Sequence, residues 1–103
     1  MAIINTQVQS IAVSIFLADA QYAVTTMVFC NVTTVTNTLS VYAVPAGENP
    51  GPTTQLVNEV ILPGGESFSF DSERFVLDNG DAFYAQCTND NAITAIISAV
   101  ATA

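Results

Sequence analysis

The chain has no lysine, no histidine and no tryptophan, and its one basic residue is Arg74. Without His or Lys the commonest general bases and the Schiff-base amines are missing, and no Ser or Thr stands in a G-x-S-x-G turn. An enzyme is therefore not expected. A net charge of -8 argues against DNA or RNA as partners, because their backbones are held by clustered Lys and Arg that release counterions. Anionic membranes are disfavoured for the same reason.

Charge of either sign is scarce. Only 10% of the residues are charged, where a free-standing soluble domain carries roughly a quarter. Residues 1 to 47 hold a single charged side chain, Asp19. A surface this poor in charge is expected to be covered by a partner, as in a part of an assembly. The acids cluster in the middle: Glu48, Glu59, Glu66, Asp71, Glu73, Asp78 and Asp81, with Asp90 following alone. One end of the fold is expected to hold most of the negative field.

Cysteine is rare too. Cys30 and Cys87 have no CxxC partner and no His beside them, which argues against a metal site. Thiols filling small apolar space in the core are the first expectation. A disulfide remains open, and it requires neighbouring strands with Cα atoms within about 7 Å. Long hydrophobic runs are missing as well: the apolar stretch from Ile11 to Ala20 is broken by Ser14 and Asp19, well short of the roughly 20 residues a membrane helix needs. The N-terminus lacks the basic region of a secretory signal, so synthesis and maturation in a cytoplasm are expected.

What is present is a β pattern. The 103 residues, half of them hydrophobic, suit one domain spanning 1–103 with a single core. Period-2 alternation of β-branched and aromatic residues predicts strands over Gln7 to Phe16, Ala23 to Val32, Leu39 to Val44, Leu56 to Leu62, Glu66 to Phe70, Arg74 to Leu77, Phe83 to Cys87, and Ile93 to about Val100. In the second of these Val24, Val28, Cys30 and Val32 would share one face and Met27 and Phe29 the other, as in a central strand covered on both sides. Phe68 and Phe70 face one way, Ser67 and Ser69 the other. Ala46 to Pro52 is the one long Gly/Pro-rich loop, and Asp78-Asn79-Gly80-Asp81 predicts a tight type I′ hairpin. About eight short strands with regular turn signals and no convincing helix define the fold class as all-β, an antiparallel two-sheet β-sandwich of jelly-roll or Ig-like shape, with strand order open.

The remaining candidates for chemistry are few. Carboxylate pairs exist on paper as Asp71 with Glu73 and Asp78 with Asp81. Asp78, Asn79, Asp81, Asp90 and Asn91 are oxygen donors in loops, as calcium requires, but Asn-Gly and Asn-Asp are also ordinary turn residues. No catalytic, cofactor-binding or metal-ligating residue is assigned, and no cofactor is expected. Arg74, next to Asp71 and Glu73, is expected in a structural ion pair. Tyr22, Tyr42 and Tyr84 suit strand packing better than a sugar-stacking platform, since no Trp accompanies them.

The segments from Ala23 to Gly47 and from Leu62 to Ala85 resemble small β-sandwich proteins encoded among the virion structural genes of tailed bacteriophages. The shared marks are Cys30-Asn31, the strand end Val44-Pro45-Ala46-Gly47, the turn Gly64-Gly65-Glu66 and the hairpin motif Val76-Leu77-Asp78-Asn79-Gly80-Asp81. Members commonly carry Lys or Arg in that hairpin, which this chain does not. The resemblance implies a virion structural protein, a capsid decoration or cement protein that binds the major capsid protein or other virion proteins as a homo-oligomer, with a trimer favoured. It would be assembled in the host cytoplasm. The alternatives are a neck, tail or fibre-associated component, or a glycan- or calcium-binding module for host attachment.

Overall fold

The computed structural model describes residues 2–70 and 75–101. Nine strands follow one another: β1 (Ala2–Val8), β2 (Val13–Leu17), β3 (Tyr22–Asn31), β4 (Asn37–Val44), β5 (Gln55–Leu62), β6 (Ser67–Phe70), β7 (Phe75–Leu77), β8 (Ala82–Cys87) and β9 (Ile93–Ala101). They form a five-stranded sheet in the order β1-β9-β3-β6, with β7 also on β3, and a four-stranded sheet in the order β2-β8-β4-β5. Every pairing is antiparallel.

The pairs nest. β4 with β5 lies inside β3 with β6 and β7, which lies inside β2 with β8, which lies inside β1 with β9. The chain is thus one long antiparallel ribbon, and rolling it brings β3 against β9 and β4 against β8. Of the two sandwich shapes open from the sequence, this order is the jelly roll, in which β6 and β7 share the place of one strand.

Hydrophobic side chains of the two inner faces meet in the core. Met27 and Phe29 from β3, Ile93, Ala95 and Ile97 from β9, Leu39 and Val41 from β4, and Phe83 and Ala85 from β8 are all buried. The sheets are joined by aromatic edge-to-face contact: the Phe75 and Phe83 ring centroids are 5.2 Å apart at an interplanar angle of 82°, and Phe70 touches Phe29, Phe68 and Phe75. Such geometry adds about 1 kcal/mol per pair to the area buried.

Four local expectations are corrected. Gln7 to Phe16 is two strands in different sheets, because the chain crosses at 9–12; the corner is held by the Cys87 N–H donating to the Gln9 carbonyl and the Asn91 N–H to the Val8 carbonyl. Asp78 to Asp81 is no hairpin, since β7 and β8 belong to different sheets and the turn passes between them. Only Gly80 has a positive φ there, +96°, whereas a type I′ turn needs two. Third, a bulge between Val24 and Thr26 shifts the register of β3, so Val24 joins Met27 and Phe29 in the core while Val28 and Cys30 face outward. Finally, Cys87 is buried in the core but Cys30 is half-buried on the outer face of the other sheet; both are free thiols, on strands that are not neighbours.

Candidate functional site

The described strands are almost free of charge, and of the described acids all but Glu59 sit in the connections between them. Among the described residues, Glu59 is the one charged side chain carried by a strand. Two surfaces result, one on the outer face of each sheet.

On the five-stranded sheet the pairing register lays uncharged residues abreast. Asn5, Ile96, Val28 and Ser69 form one row, and Gln7, Thr94, Cys30 and Ser67 the next. Ala23, Val76 and Val100 form another near the opposite end. Ile3, Ile96 and Val76 stand 74%, 42% and 64% exposed on this face. It is a broad face of hydroxyls, amides and aliphatics, without a carboxylate on any of its strands.

The four-stranded sheet carries a groove of about 550 Å³. Its floor is Thr38, Ser40 and Tyr42 on β4, with Gln86 of β8 and Thr88 to one side and Gln55, Asn58 and Glu59 of β5 to the other. The lining is held by its own hydrogen bonds. Tyr42 donates to Gln86 Oε1 at 3.2 Å, Gln86 Nε2 to the Ser10 carbonyl at 3.2 Å, and Gln55 Nε2 to Asn58 Oδ1 at 3.2 Å. The Thr38 and Thr88 hydroxyls are 2.9 Å apart.

Glu59 has an unusual backbone. The register between β4 and β5 slips twice, between Leu39 and Val41 and between Val41 and Tyr42, and Glu59 takes a φ of +51°. That conformation costs a non-glycine residue of this kind about 1–2 kcal/mol. The Glu59 N–H, out of the ladder, donates to Ser40 Oγ at 3.0 Å. Asn91, the other described non-glycine residue with positive φ, belongs to a type that tolerates it in turns.

The loop acids considered for calcium, Asp78, Asp81 and Asp90, have structural partners. Asp81 accepts from the Asp78 N–H at 3.0 Å and from the Ala46 N–H at 2.9 Å, while Asp78 accepts from Gln21 Nε2 at 2.9 Å. Asp90 accepts from the Ser10 N–H at 2.7 Å, which holds its carboxyl below the usual range. The oxygen donors that could have met around calcium are divided: Asp78, Asn79 and Asp81 precede β8, and Asp90 and Asn91 follow it, at opposite ends of the sandwich. Asp19, Glu48, Asp78 and Asp81 lie in the connections at one end, Glu66 and Asp90 at the other. The pair Asp71 with Glu73, and the expected ion pair of Arg74, lie outside the described residues.

The tyrosines have separate places. Tyr22 donates to Asp19 at 2.8 Å, which raises its phenol above the ordinary value, and its ring meets Phe16 edge-on. Tyr42 and Tyr84 are cross-strand neighbours on the four-stranded sheet, and only Tyr42 lines the groove. No protein-family model, no curated protein and no solved structure matches the chain. Nothing in the sequence pattern marks Ser40, Asn58 or Gln86 as groove residues, and Glu59 stands out there only as one of the clustered acids. The available signal was Asn58-Glu59 interrupting the otherwise apolar run from Leu56 to Leu62.

Proposed function

We propose that this protein is a structural component of an assembled particle, a virion protein of a tailed bacteriophage that decorates or cements the head shell as a homo-oligomer. The observation that carries the reading is the outer face of the five-stranded sheet, whose described strands hold no charged side chain, in a chain of net charge -8. Copies of so acidic a protein repel one another through their loops. Two such faces can approach without opposing carboxylates, and they exchange water for aliphatic and hydroxyl contacts.

The size is adequate. Four strand positions about 4.8 Å apart, with strands of up to ten residues, present on the order of 500–600 Å². Two faces then bury roughly 1,000–1,200 Å², the lower bound of a specific interface. Face-to-face packing of this kind makes a two-fold pair, whereas a trimer at a local three-fold axis of the shell would set this face against a different surface of the next copy; in either arrangement multivalency on a symmetric lattice makes individually weak contacts sufficient. Neighbours are then further copies and the major capsid protein. The end bearing Asp19, Glu48, Asp78 and Asp81 would face solvent or a basic rim of the shell.

Cryo-electron microscopy of whole virions tests the reading through position and copy number. Many copies on the icosahedral shell are expected. A few copies at the tail vertex would move the assignment to the neck or tail, and virions that lack the protein would overturn it.

A further inference from the structure

We infer that the groove on the four-stranded sheet is a binding site for a neutral saccharide. At about 550 Å³ it falls within the range of small-molecule sites. Its lining is hydroxyl and amide from Thr38, Ser40, Asn58, Gln86 and the Tyr42 phenol, with one carboxylate, Glu59. An apolar ligand would strip water from these groups and return no hydrogen bonds, which disfavours it. An anionic ligand would meet Glu59 and a net charge of -8 with no cation in the groove.

Sugar hydroxyls are donors and acceptors at once, and this lining offers both. Amide groups carry two donors and two acceptor positions, and the contacts among Tyr42, Gln86, Gln55 and Asn58 occupy only part of them. A carboxylate can accept from two adjacent hydroxyls together, and charge-assisted bonds of that kind are the strong ones. Three strands at about 4.8 Å spacing make a floor roughly 10 Å across, enough to seat a pyranose ring.

Glu59 is the second, independent observation. It is the one charged side chain on a described strand, and it is held on the groove by a positive φ that the sequence could have avoided with glycine or asparagine. Strained backbone of this sort concentrates at ligand clamps. The Ser40 hydroxyl anchoring the Glu59 N–H fixes the carboxylate-bearing residue beside the floor. This site lies on the sheet opposite the uncharged face, so it stands whether or not the assembly reading does.

The test is a titration of the isotopically labelled full chain with cellobiose, maltose, lactose and N,N′-diacetylchitobiose, followed by amide chemical shifts. Concentrations to about 50 mM would saturate a site of millimolar affinity. At least one disaccharide should give saturable shifts at Ser40, Asn58, Glu59 and Gln86 and leave the amides of β1 and β9 unmoved. Glu59→Gln, which keeps the backbone and the size, should weaken that binding about tenfold. The inference is overturned by the absence of a saturable shift with all four sugars, by shifts centred elsewhere, or by unchanged affinity in Glu59→Gln. The Asn58→Ala variant provides a check that does not involve the strained residue, and it too should weaken binding.

Discussion

Asn31 at the end of β3 donates through Nδ2 to the carbonyl of Leu62 at the end of β5, 2.9 Å away, and so ties one sheet to the other. The same amide donates to the Val35 carbonyl at 2.8 Å, and its oxygen accepts from the N–H and the hydroxyl of Thr33. Asn31 is fully buried. Asn31→Ala should destabilise the fold by about 2–3 kcal/mol, because the Leu62 carbonyl and the Thr33 N–H lose the buried amide, while the Val35 carbonyl keeps the Thr33 hydroxyl and the Asn37 amide. Chemical denaturation measures this, and a loss below about 1 kcal/mol would mean that water replaces the amide.

The neighbouring turn makes a sharper steric prediction. A Cβ on Gly64 would sit 2.5 Å from the Thr34 carbonyl carbon and 2.9 Å from the Thr33 oxygen, both backbone atoms. Gly64→Ala should therefore cost about 2 kcal/mol or more. Gly51→Ala meets nothing within 4 Å and needs no positive φ, so it should stay within about 0.5 kcal/mol of the parent. Equal effects at the two glycines would contradict the close approach of the 63–66 turn to the 32–36 connection.

Phe68 and Phe70 share the inner face of β6, with Phe70 buried and Phe68 half-buried. Phe70→Ala should cost about 3–5 kcal/mol, since it also removes edge contacts with Phe29 and Phe75. Phe68→Ala should cost about half as much. Small and equal losses at both positions would mean that β6 is paired one residue out of register, with both rings turned outward.

The Asp90 carboxyl, held low first by the Ser10 backbone N–H, gives an acid-sensitive corner. With a folded value below the ordinary 3.8, its contribution is complete above 3.8 and is lost as pH falls through the folded value. Below about pH 4 the melting temperature of Asp90→Asn should thus fall less steeply than that of the parent. Parallel curves would remove Asp90 from the acid response.

How much of this was legible in the sequence depended on whether the signal was local. Period-2 alternation in Ser67 to Phe70 and Phe83 to Cys87 assigned faces correctly, because neither strand is bulged on that stretch. On β3 the bulge between Val24 and Thr26 breaks the period, so simple alternation puts Val24 on the wrong face. Crossings between sheets were invisible at 9–12 and 78–81: the corner keeps an apolar pattern through Ile11, and Asp-Asn-Gly-Asp fits a hairpin and an inter-sheet turn alike. The uncharged surface was evident from composition alone, but the groove was not. It depends on two register slips between β4 and β5 and on the backbone of Glu59, neither of which a side-chain pattern encodes.

Packing of the outer face of the five-stranded sheet against another copy, as proposed, would be read by sedimentation equilibrium. The parent chain should associate, and Ile96→Glu, which puts a carboxylate in the middle of that face, should be a folded monomer. Ile61→Glu, the same exchange at an exposed position on the other sheet, should associate like the parent. A parent chain that stays monomeric at all concentrations, or an Ile96→Glu variant that associates as the parent does, would mean that this face is not a contact between copies.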